Sequence, residues 1–117
     1  MTRDLYQYTL PSKRQVRVKV LTPTEKDVAT KVAAKVAGMD ASVVDFRLSA
    51  IRECVYAMIH QVMTDEEKWL SFESDMYDTY FTAKDDEILS GLYRRLHEVS
   101  SEDLEAIAGK AQMVSMG

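Results

Sequence analysis

The residue types in this chain that most often do chemistry are one cysteine, Cys54, and two histidines, His60 and His97. None of them lies in a local sequence that specifies a nucleophile elbow, an oxyanion hole or an ordered general base. Cys54 lies in the middle of an apolar segment, where a lone thiol usually packs as a small hydrophobic side chain. The sequence therefore predicts no catalytic residue and no enzymatic activity.

Ligand sets for metal ions are also missing from the sequence. The two histidines have too few acidic or cysteine neighbours, at the wrong spacing, for a zinc site. Four acidic residues lie close together in the second half: Asp75, Asp78, Asp85 and Asp86. This group lacks the glycine and the alternating ligands of a calcium loop, so we expect it to form a solvated surface. We predict neither a metal ion nor a cofactor.

Charge is distributed unevenly along the chain, and this bears on its partners. The net charge is −4, but residues 1–37 carry a net +5 and residues 38–117 a net −9. A basic segment next to tyrosines could contact phosphates and stack on bases, which makes a small nucleic-acid-binding regulator the alternative function. The acidity of the whole chain, with a pI near 5.1, disfavours nucleic acid. The opposite charges could instead meet within the fold, pair copies of the chain, or orient a protein partner.

The strand pattern is confined to the N-terminal segment. Two runs alternate between apolar and polar side chains, one around Tyr6 and Tyr8 and the other over Val16–Val20. A proline and a serine separate the runs, which predicts a β-hairpin over residues 5–21 with its loop at residues 11–14. A lone hairpin is marginal in water, so its valine face must lie on helices or on a strand of another chain.

Helical periodicity dominates the chain from residue 22 onward. Thr22 opens a capping box, and the helix that it starts is expected to end at Gly38. The longest periodic segment, Val43–Met63, is predicted to form one helix at the centre of the core. A second capping box at residues 64–67 predicts a third helix, which is the most aromatic stretch of the chain.

The last part of the chain is also predicted to be helical. Apolar spacing between Ile88 and Val99 predicts a fourth helix after a break at residues 82–86. A short fifth helix would carry Leu104 and Ile107. Residues 110–117 form a tail with little reason to fold alone.

The size and composition of the chain fit a single domain, because 117 residues with 46% hydrophobic content can bury a core without disulfides or metals. The predicted fold is α+β and mainly α: one domain over residues 1–117, with the N-terminal β-hairpin packed on a bundle of four to five helices at residues 22–109. No apolar run reaches the roughly 20 residues that cross a bilayer, and no signal segment is seen, so we expect a cytoplasmic protein and no membrane partner.

Two stretches supply the candidate partner-binding residues. In the hairpin these are Tyr6, Tyr8, Arg14, Val16, Arg17, Val18 and Lys19. In the predicted third helix they are Trp69, Phe72, Met76 and Tyr80, whose spacings of three and four predict one aromatic face. Together with the seven methionines of the chain, this face has two interpretations: core packing, or an adaptable apolar groove for a client peptide.

The segment Leu10–Thr22, LPSKRQVRVKVLT, followed by a capped helix, resembles the opening of small tail-assembly or baseplate-assembly proteins of tailed bacteriophages. Those proteins often begin with an aromatic strand, a leucine-proline-serine-glycine turn, a second strand and a leucine-threonine entry into a helical body. The resemblance is detailed only in this N-terminal segment. It departs at Lys13, where the family usually has glycine, and a side chain there is costly if the turn needs a positive φ.

The resemblance implies a non-enzymatic protein that binds phage tail components, such as a tape-measure, tube or baseplate subunit, in the host cytoplasm. The positions that match the family are Leu10, Pro11, Ser12, Val16, Val18 and Leu21. The expected function is therefore protein–protein interaction in tail or baseplate assembly, as an assembly chaperone or a small structural adaptor. Association into a homo-oligomer and a place in the finished virion stay open.

Overall fold

The structure, a computed structural model, describes residues 4–38 and 42–98. Its elements in chain order are β1 (Tyr6–Thr9), β2 (Gln15–Val18), α1 (Pro23–Ala37), α2 (Val43–Met58), β3 (Ile59–Met63), β4 (Trp69–Ser71), a 3₁₀ turn (Ser74–Met76), α3 (Tyr77–Tyr80) and α4 (Ala83–His97). The predicted fold class is confirmed: the described chain is α+β and mainly helical, with an N-terminal antiparallel hairpin packed on helices.

The predicted hairpin is formed by β1 and β2, which pair antiparallel. Two backbone hydrogen bonds of 2.8 Å close its turn, from the Leu10 N–H to the Arg14 carbonyl and from the Lys13 N–H to the Leu10 carbonyl. Lys13 has a φ of 75°, the left-handed conformation that glycine adopts without steric cost. The turn thus requires a positive φ at the position where the resembled phage proteins usually have glycine.

The central helix is shorter than predicted. α2 ends at Met58, and residues 59–63 form β3, which pairs with β2. Without β3, the second edge of β2 would leave buried backbone groups unpaired, and pairing them outweighs the helical periodicity of these five residues. The pairing skips His60, since Arg17 lies opposite Gln61 while the next residue lies opposite Ile59.

The prediction of a helix that starts at residue 64 is wrong. Residues 64–68 form the turn between β3 and β4, in which the Thr64 N–H donates to the Lys68 carbonyl at 2.8 Å and Thr64 Oγ1 accepts the Lys68 N–H at 3.2 Å. A threonine hydroxyl that binds nearby backbone groups stabilises a tight turn as well as a helix start, so the capping-box pattern was ambiguous. Of the predicted third helix, only the 3₁₀ turn and α3 are helical.

The four described strands form one antiparallel sheet in the order β1-β2-β3-β4. α2 and α4 contribute the apolar side chains that cover one of its faces. The fully buried side chains there include Val16, Val18, Val55, Met58, Val62 and Leu89. The hairpin's valine face is therefore covered within the chain itself.

The first two helices lie side by side and differ in how much of each is covered. α1 starts at the predicted capping box, in which Thr22 Oγ1 accepts the Glu25 N–H at 3.2 Å and Glu25 Oε1 accepts the Thr22 N–H at 3.0 Å. α1 packs chiefly on α2, where Ala29 and Ala33 are buried. The C-terminal half of α2 enters the core, whereas most of its first turns are exposed.

The hairpin turn is attached to the start of α4 through a buried carboxylate. Asp85 is fully buried and accepts hydrogen bonds from the Ser12 N–H at 3.0 Å, the Ser12 hydroxyl at 2.6 Å and the Thr82 N–H at 3.0 Å. Burial by itself would raise the pKa of Asp85, but these hydrogen bonds outweigh it and hold the pKa below its ordinary value. We call Ser12, Thr82 and Asp85 the turn–α4 joint.

The predicted solvated acidic surface is therefore wrong in part. Asp85 is buried in the turn–α4 joint, and Asp86 is half-buried, where it accepts a hydrogen bond from the Tyr77 hydroxyl and pairs with Arg52 at 3.3 Å. Asp75 and Asp78 are exposed. The sequence did not distinguish the two pairs because helix N-termini and solvated surfaces are both rich in acidic residues.

The fourth predicted helix is confirmed as α4, although it begins at Ala83, within the predicted break. The predicted fifth helix and the tail at residues 110–117 lie outside the described residues. Among the helices of the described ranges, none has the length and apolar character needed to cross a membrane.

Candidate protein-binding surface

A groove of about 440 Å³ runs between α1, the C-terminal half of α2 and the segment that follows β4. Its apolar lining consists of Val28, Ala29, Val32, Tyr56, Ala57 and Phe72, and its charged lining of Lys19, Glu25 and Glu53. We call this the valine groove. Its volume falls within the range of small-molecule pockets, and it is the exposure of its valines that favours a protein partner.

The valines of this groove are exposed because of the way α1 packs. Ala29 and Ala33 face α2 and are buried, and the valine stripe lies one position earlier on the helix, turned about 100° away. Val28 is 55%, Val32 40% and Val36 67% exposed. Since α1 packs chiefly on α2, no element of the described chain covers this stripe. Contiguous exposed apolar side chains of this kind mark sites of protein interaction.

The floor of the groove is formed by a cluster of aromatic rings. Tyr56 lies 6.3 Å from Phe72 and 4.9 Å from Tyr77, measured between ring centroids. Tyr77 and Phe81 are buried behind them, 5.2 Å apart. Burial raises the pKa of the Tyr77 hydroxyl, and the hydrogen bond that it donates to an aspartate raises it further, so the hydroxyl stays protonated. Ring pairs in tilted and edge-to-face arrangements at these distances stabilise the cluster beyond the burial of their apolar area.

Charged residues lie at the rim of the groove. Lys19 Nζ and Glu25 Oε2 are 3.1 Å apart, both partly exposed, so that one positive and one negative charge meet at this end. Glu53 is half-buried in the lining between the aromatic floor and the valines. A partner helix with an apolar face and a lysine or arginine at its margin would match this arrangement.

Two of the predicted binding residues lie in the valine groove. Lys19 is on its rim and Phe72 is on its floor. Sequence reasoning placed them in different candidate surfaces, one in the hairpin and one on a helix. The structure brings them together because β3 and β4 extend the hairpin into one sheet, and Phe72 follows directly after β4.

Arg14 and Tyr80 meet at a second place, beside the hairpin turn. The Arg14 guanidinium lies 4.9 Å from the centroid of the Tyr80 ring, donates to the Met63 carbonyl at 2.8 Å and pairs with Asp65 at 3.0 Å. It also donates to the Tyr80 carbonyl at 3.2 Å. Arg14 thus connects the hairpin turn with the turn after β3 and with α3. Its positive charge is paired within the fold.

Arg17 and Trp69 meet on the sheet face that α2 and α4 do not cover. The guanidinium carbon of Arg17 lies 3.8 Å from the centroid of the Trp69 ring, and Arg17 donates to Gln61 Oε1 at 3.0 Å. A longer hydrogen bond of 3.4 Å reaches Gln7 Oε1. This open face is polar, and one side of the indole ring is covered by the arginine.

The remaining predicted residues are spread over the core and the sheet edge. Val16 and Val18 are 0% exposed, so their side chains are not available to a partner in the folded chain. Tyr8 and Met76 are half-buried against the core, and Tyr6 on the edge strand is 42% exposed. The predicted aromatic helix face does not exist as such, because Trp69 lies on a strand and Met76 in a 3₁₀ turn.

The exposed valines and Tyr56 were missed as binding residues, although their signal is present in the sequence. α1 carries two apolar stripes side by side, one of alanines and one of valines. A single neighbouring helix can cover only one of them, and it takes the alanines because small residues allow close approach. The second stripe, of valines, therefore indicated an apolar surface that the neighbouring helix does not cover.

No group of three or more histidine, cysteine, aspartate or glutamate residues is arranged to hold a metal ion within residues 4–38 and 42–98. No protein-family model matches the chain. No curated protein and no solved structure matches it significantly either.

Proposed function

We propose that this chain is a non-enzymatic protein-binding protein of bacteriophage tail or baseplate assembly, acting as an assembly chaperone or small structural adaptor in the host cytoplasm. The single observation that carries the binding part is the valine groove, an open apolar groove on an aromatic floor. Its partner would be a tape-measure, tube or baseplate subunit. The phage context comes from the N-terminal resemblance.

The exposed valines of α1 favour binding energetically. Removing apolar surface from water contributes about 25 cal/mol per Å², and a folded chain gains this for Val28, Val32 and Val36 only when another surface covers them. Val28 and Val32 form a contiguous patch with Tyr56 and Phe72, with charges at its margin. A buried apolar centre surrounded by a polar rim is the usual anatomy of a protein–protein interface.

The charges of the hairpin support a protein partner over nucleic acid. Arg14 pairs with Asp65 and Lys19 with Glu25, so two of the basic residues that could contact phosphates are already neutralised. Arg17 lies flat on an indole ring. Nucleic-acid affinity depends on several unpaired cations along one surface.

The phage context gains support from the hairpin turn. The resembled proteins usually have glycine where this chain has Lys13, and the φ of Lys13 is 75°. A turn with this backbone conformation is the one that a leucine-proline-serine-glycine sequence would favour. The departure at Lys13 therefore changes the side chain without requiring a different turn.

The proposal is tested by co-expressing the full chain with each tail protein encoded by neighbouring genes, and by gel filtration of the purified chain. We expect one of these proteins to co-elute with the chain in a complex that survives dilution. If no tape-measure, tube or baseplate protein forms a complex in repeated trials, the proposal is wrong.

A matched pair of variants locates the binding surface. Val28→Glu introduces a charge into the valine groove and should weaken the complex about tenfold or more, because it desolvates a carboxylate at the interface. Ala34→Glu adds the same charge at an exposed α1 position outside the groove, and binding should be unchanged. Equal losses in both variants would show that the groove is not the site.

Measuring binding to labelled duplex and single-stranded DNA over a salt series distinguishes the proposed protein-binding function from the alternative, a nucleic-acid-binding regulator. A nucleic-acid-binding regulator would lose affinity steeply as salt rises. We expect no measurable binding at any salt concentration. Salt-dependent binding that Arg17→Ala abolishes would favour the regulator.

A further inference from the structure

One apolar stripe runs the whole length of α2, and only half of it is covered. Its members recur at spacings of four and three residues, Val44, Leu48, Ile51, Val55 and Met58, so they lie on one face of the helix. Val55 and Met58 are 0% exposed, Ile51 is half-buried, and Leu48 and Val44 are 60% and 66% exposed. The sheet and α4 cover the C-terminal half of the stripe and stop at Ile51.

The chain leaves α4 beside the point where this cover stops. His97 Nε2 accepts the Leu21 N–H at 2.8 Å, and its ring stacks on Tyr93 with 4.6 Å between centroids. These contacts fix the end of α4. A cavity of about 450 Å³ lies there, and both Ile51 and Glu98 line it. Glu98, the last described residue, therefore lies at the same cavity as Ile51, which is one turn of α2 from Leu48.

The walls of this cavity are basic. Lys26, Arg47 and Arg94 line it, against one acidic residue, Glu98. Arg47 directly precedes Leu48, which belongs to the exposed part of the stripe. A segment that docks here would combine apolar residues with negative charge.

Residues 99–108, with the sequence VSSEDLEAIA, have this composition. They contain three acidic residues, and their apolar Leu104, Ile107 and Ala108 recur at the spacing of one helical face. We propose that this segment docks on Val44 and Leu48 and completes the cover of α2, with its acidic residues facing Lys26, Arg47 and Arg94.

The length of the segment is sufficient for this contact. Val44 lies seven residues before Ile51, a distance of about 10 Å along a helix, and a helix of residues 100–108 would be about 13 Å long. The contact is separate from the valine groove, because Val44 and Leu48 continue the core-facing side of α2, whereas Glu53 and Tyr56 line another side. Failure of either proposal leaves the other standing.

Hydrogen exchange of the backbone amides in the full chain, read by mass spectrometry, tests the contact. In the variant Leu104→Glu/Ile107→Glu, the amides of residues 43–51 should exchange on the order of tenfold faster than in the parent chain. Exchange at residues 54–58 should stay unchanged and serves as the internal reference for an intact core. The pair Ala106→Glu/Lys110→Glu adds at least as much negative charge on the opposite face and should leave residues 43–51 unchanged.

A second variant avoids the added charge. Leu104→Ala/Ile107→Ala should accelerate exchange at residues 43–51 in the same direction, by a smaller factor. Unchanged exchange in both Leu104/Ile107 variants would overturn the proposal, and so would equal effects of the glutamate pairs. Protection of residues 43–51 that rises with protein concentration would also overturn it, because a second copy would then be the cover.

Discussion

The two ends of α2 carry the same kind of residue and have opposite surroundings. Val55 and Met58, near the C-terminal end, are 0% exposed under the sheet and α4, whereas Val44, near the N-terminal end, is 66% exposed. The helical period is the same at both ends, so the difference comes from the neighbours. The covered end packs in the core and stabilises the fold, whereas the open end leaves its apolar side chains in contact with water.

The largest expected effect is at the covered end. Met58→Ala removes a fully buried side chain and leaves a cavity between the sheet and the helices, so the free energy of unfolding should fall by about 3 kcal/mol. Chemical denaturation checks this through the transition midpoint at constant slope. A loss below about 1 kcal/mol would mean that this end is not the core and would break the comparison.

The next effect is at the turn–α4 joint, which holds the hairpin against the helix that covers α2. Asp85→Asn removes the charge that accepts three hydrogen bonds, and we expect a loss of about 2 kcal/mol in the free energy of unfolding. Ser12→Ala should lose less. In the double variant the losses should not add, because both residues belong to one contact.

The pH dependence of stability sharpens this second prediction. The folded pKa of Asp85 is depressed, so its contribution is fully present above the unfolded value of about 3.9 and is lost as pH falls through the folded value. We therefore expect the parent chain to lose stability below about pH 4, and Asp85→Asn to lose less over the same range. Identical pH profiles for the two proteins would contradict the role of this carboxylate.

A smaller effect, of opposite sign, is expected at the hairpin turn. Lys13→Gly relieves the left-handed backbone conformation and should raise the free energy of unfolding by up to about 1 kcal/mol. Lys13→Ala retains a side chain on the same backbone and is the control. If alanine stabilises as much as glycine, the gain does not come from the positive φ.

The smallest effect belongs to the open surface. Val36 is 67% exposed, so Val36→Ala should change the free energy of unfolding by less than about 0.5 kcal/mol. The same denaturation series that tests Met58→Ala measures it. A loss comparable to that of Met58→Ala would show that the valine stripe is covered in solution by another surface.

The sequence predicted the elements whose signals are local. The hairpin, α1 and α4, the last helix of the described residues, were predicted because alternation, capping boxes and helical period act within a few residues. Thr22 and Thr64 show the limit of such signals. Both bind backbone N–H groups through their hydroxyls, but the first starts a helix and the second closes a β-turn. Thr64 lies in a turn and not at a helix start because the segments on either side of it pair as the strands β3 and β4.

The candidate site was predicted less well than the fold, for a related reason. Phe72 and Lys19 were identified by residue type, but their meeting requires the strands β3 and β4, which sequence periodicity assigned to helices. Asp85 was assigned to a solvated surface because nothing in its own segment indicates Ser12, 73 residues away. Both cases depend on contacts between residues far apart in the chain, and local patterns in a single sequence do not reveal such contacts.

The one cysteine of the chain offers a way to time the opening of the core. Cys54 lies on α2, is 2% exposed and belongs to the same buried cluster as Tyr93 of α4. A thiol-reactive dye should label the native protein only when α2 and α4 separate, so the labelling rate would report how often they do. Fraying at the exposed N-terminal end of α2 would not contribute to this rate.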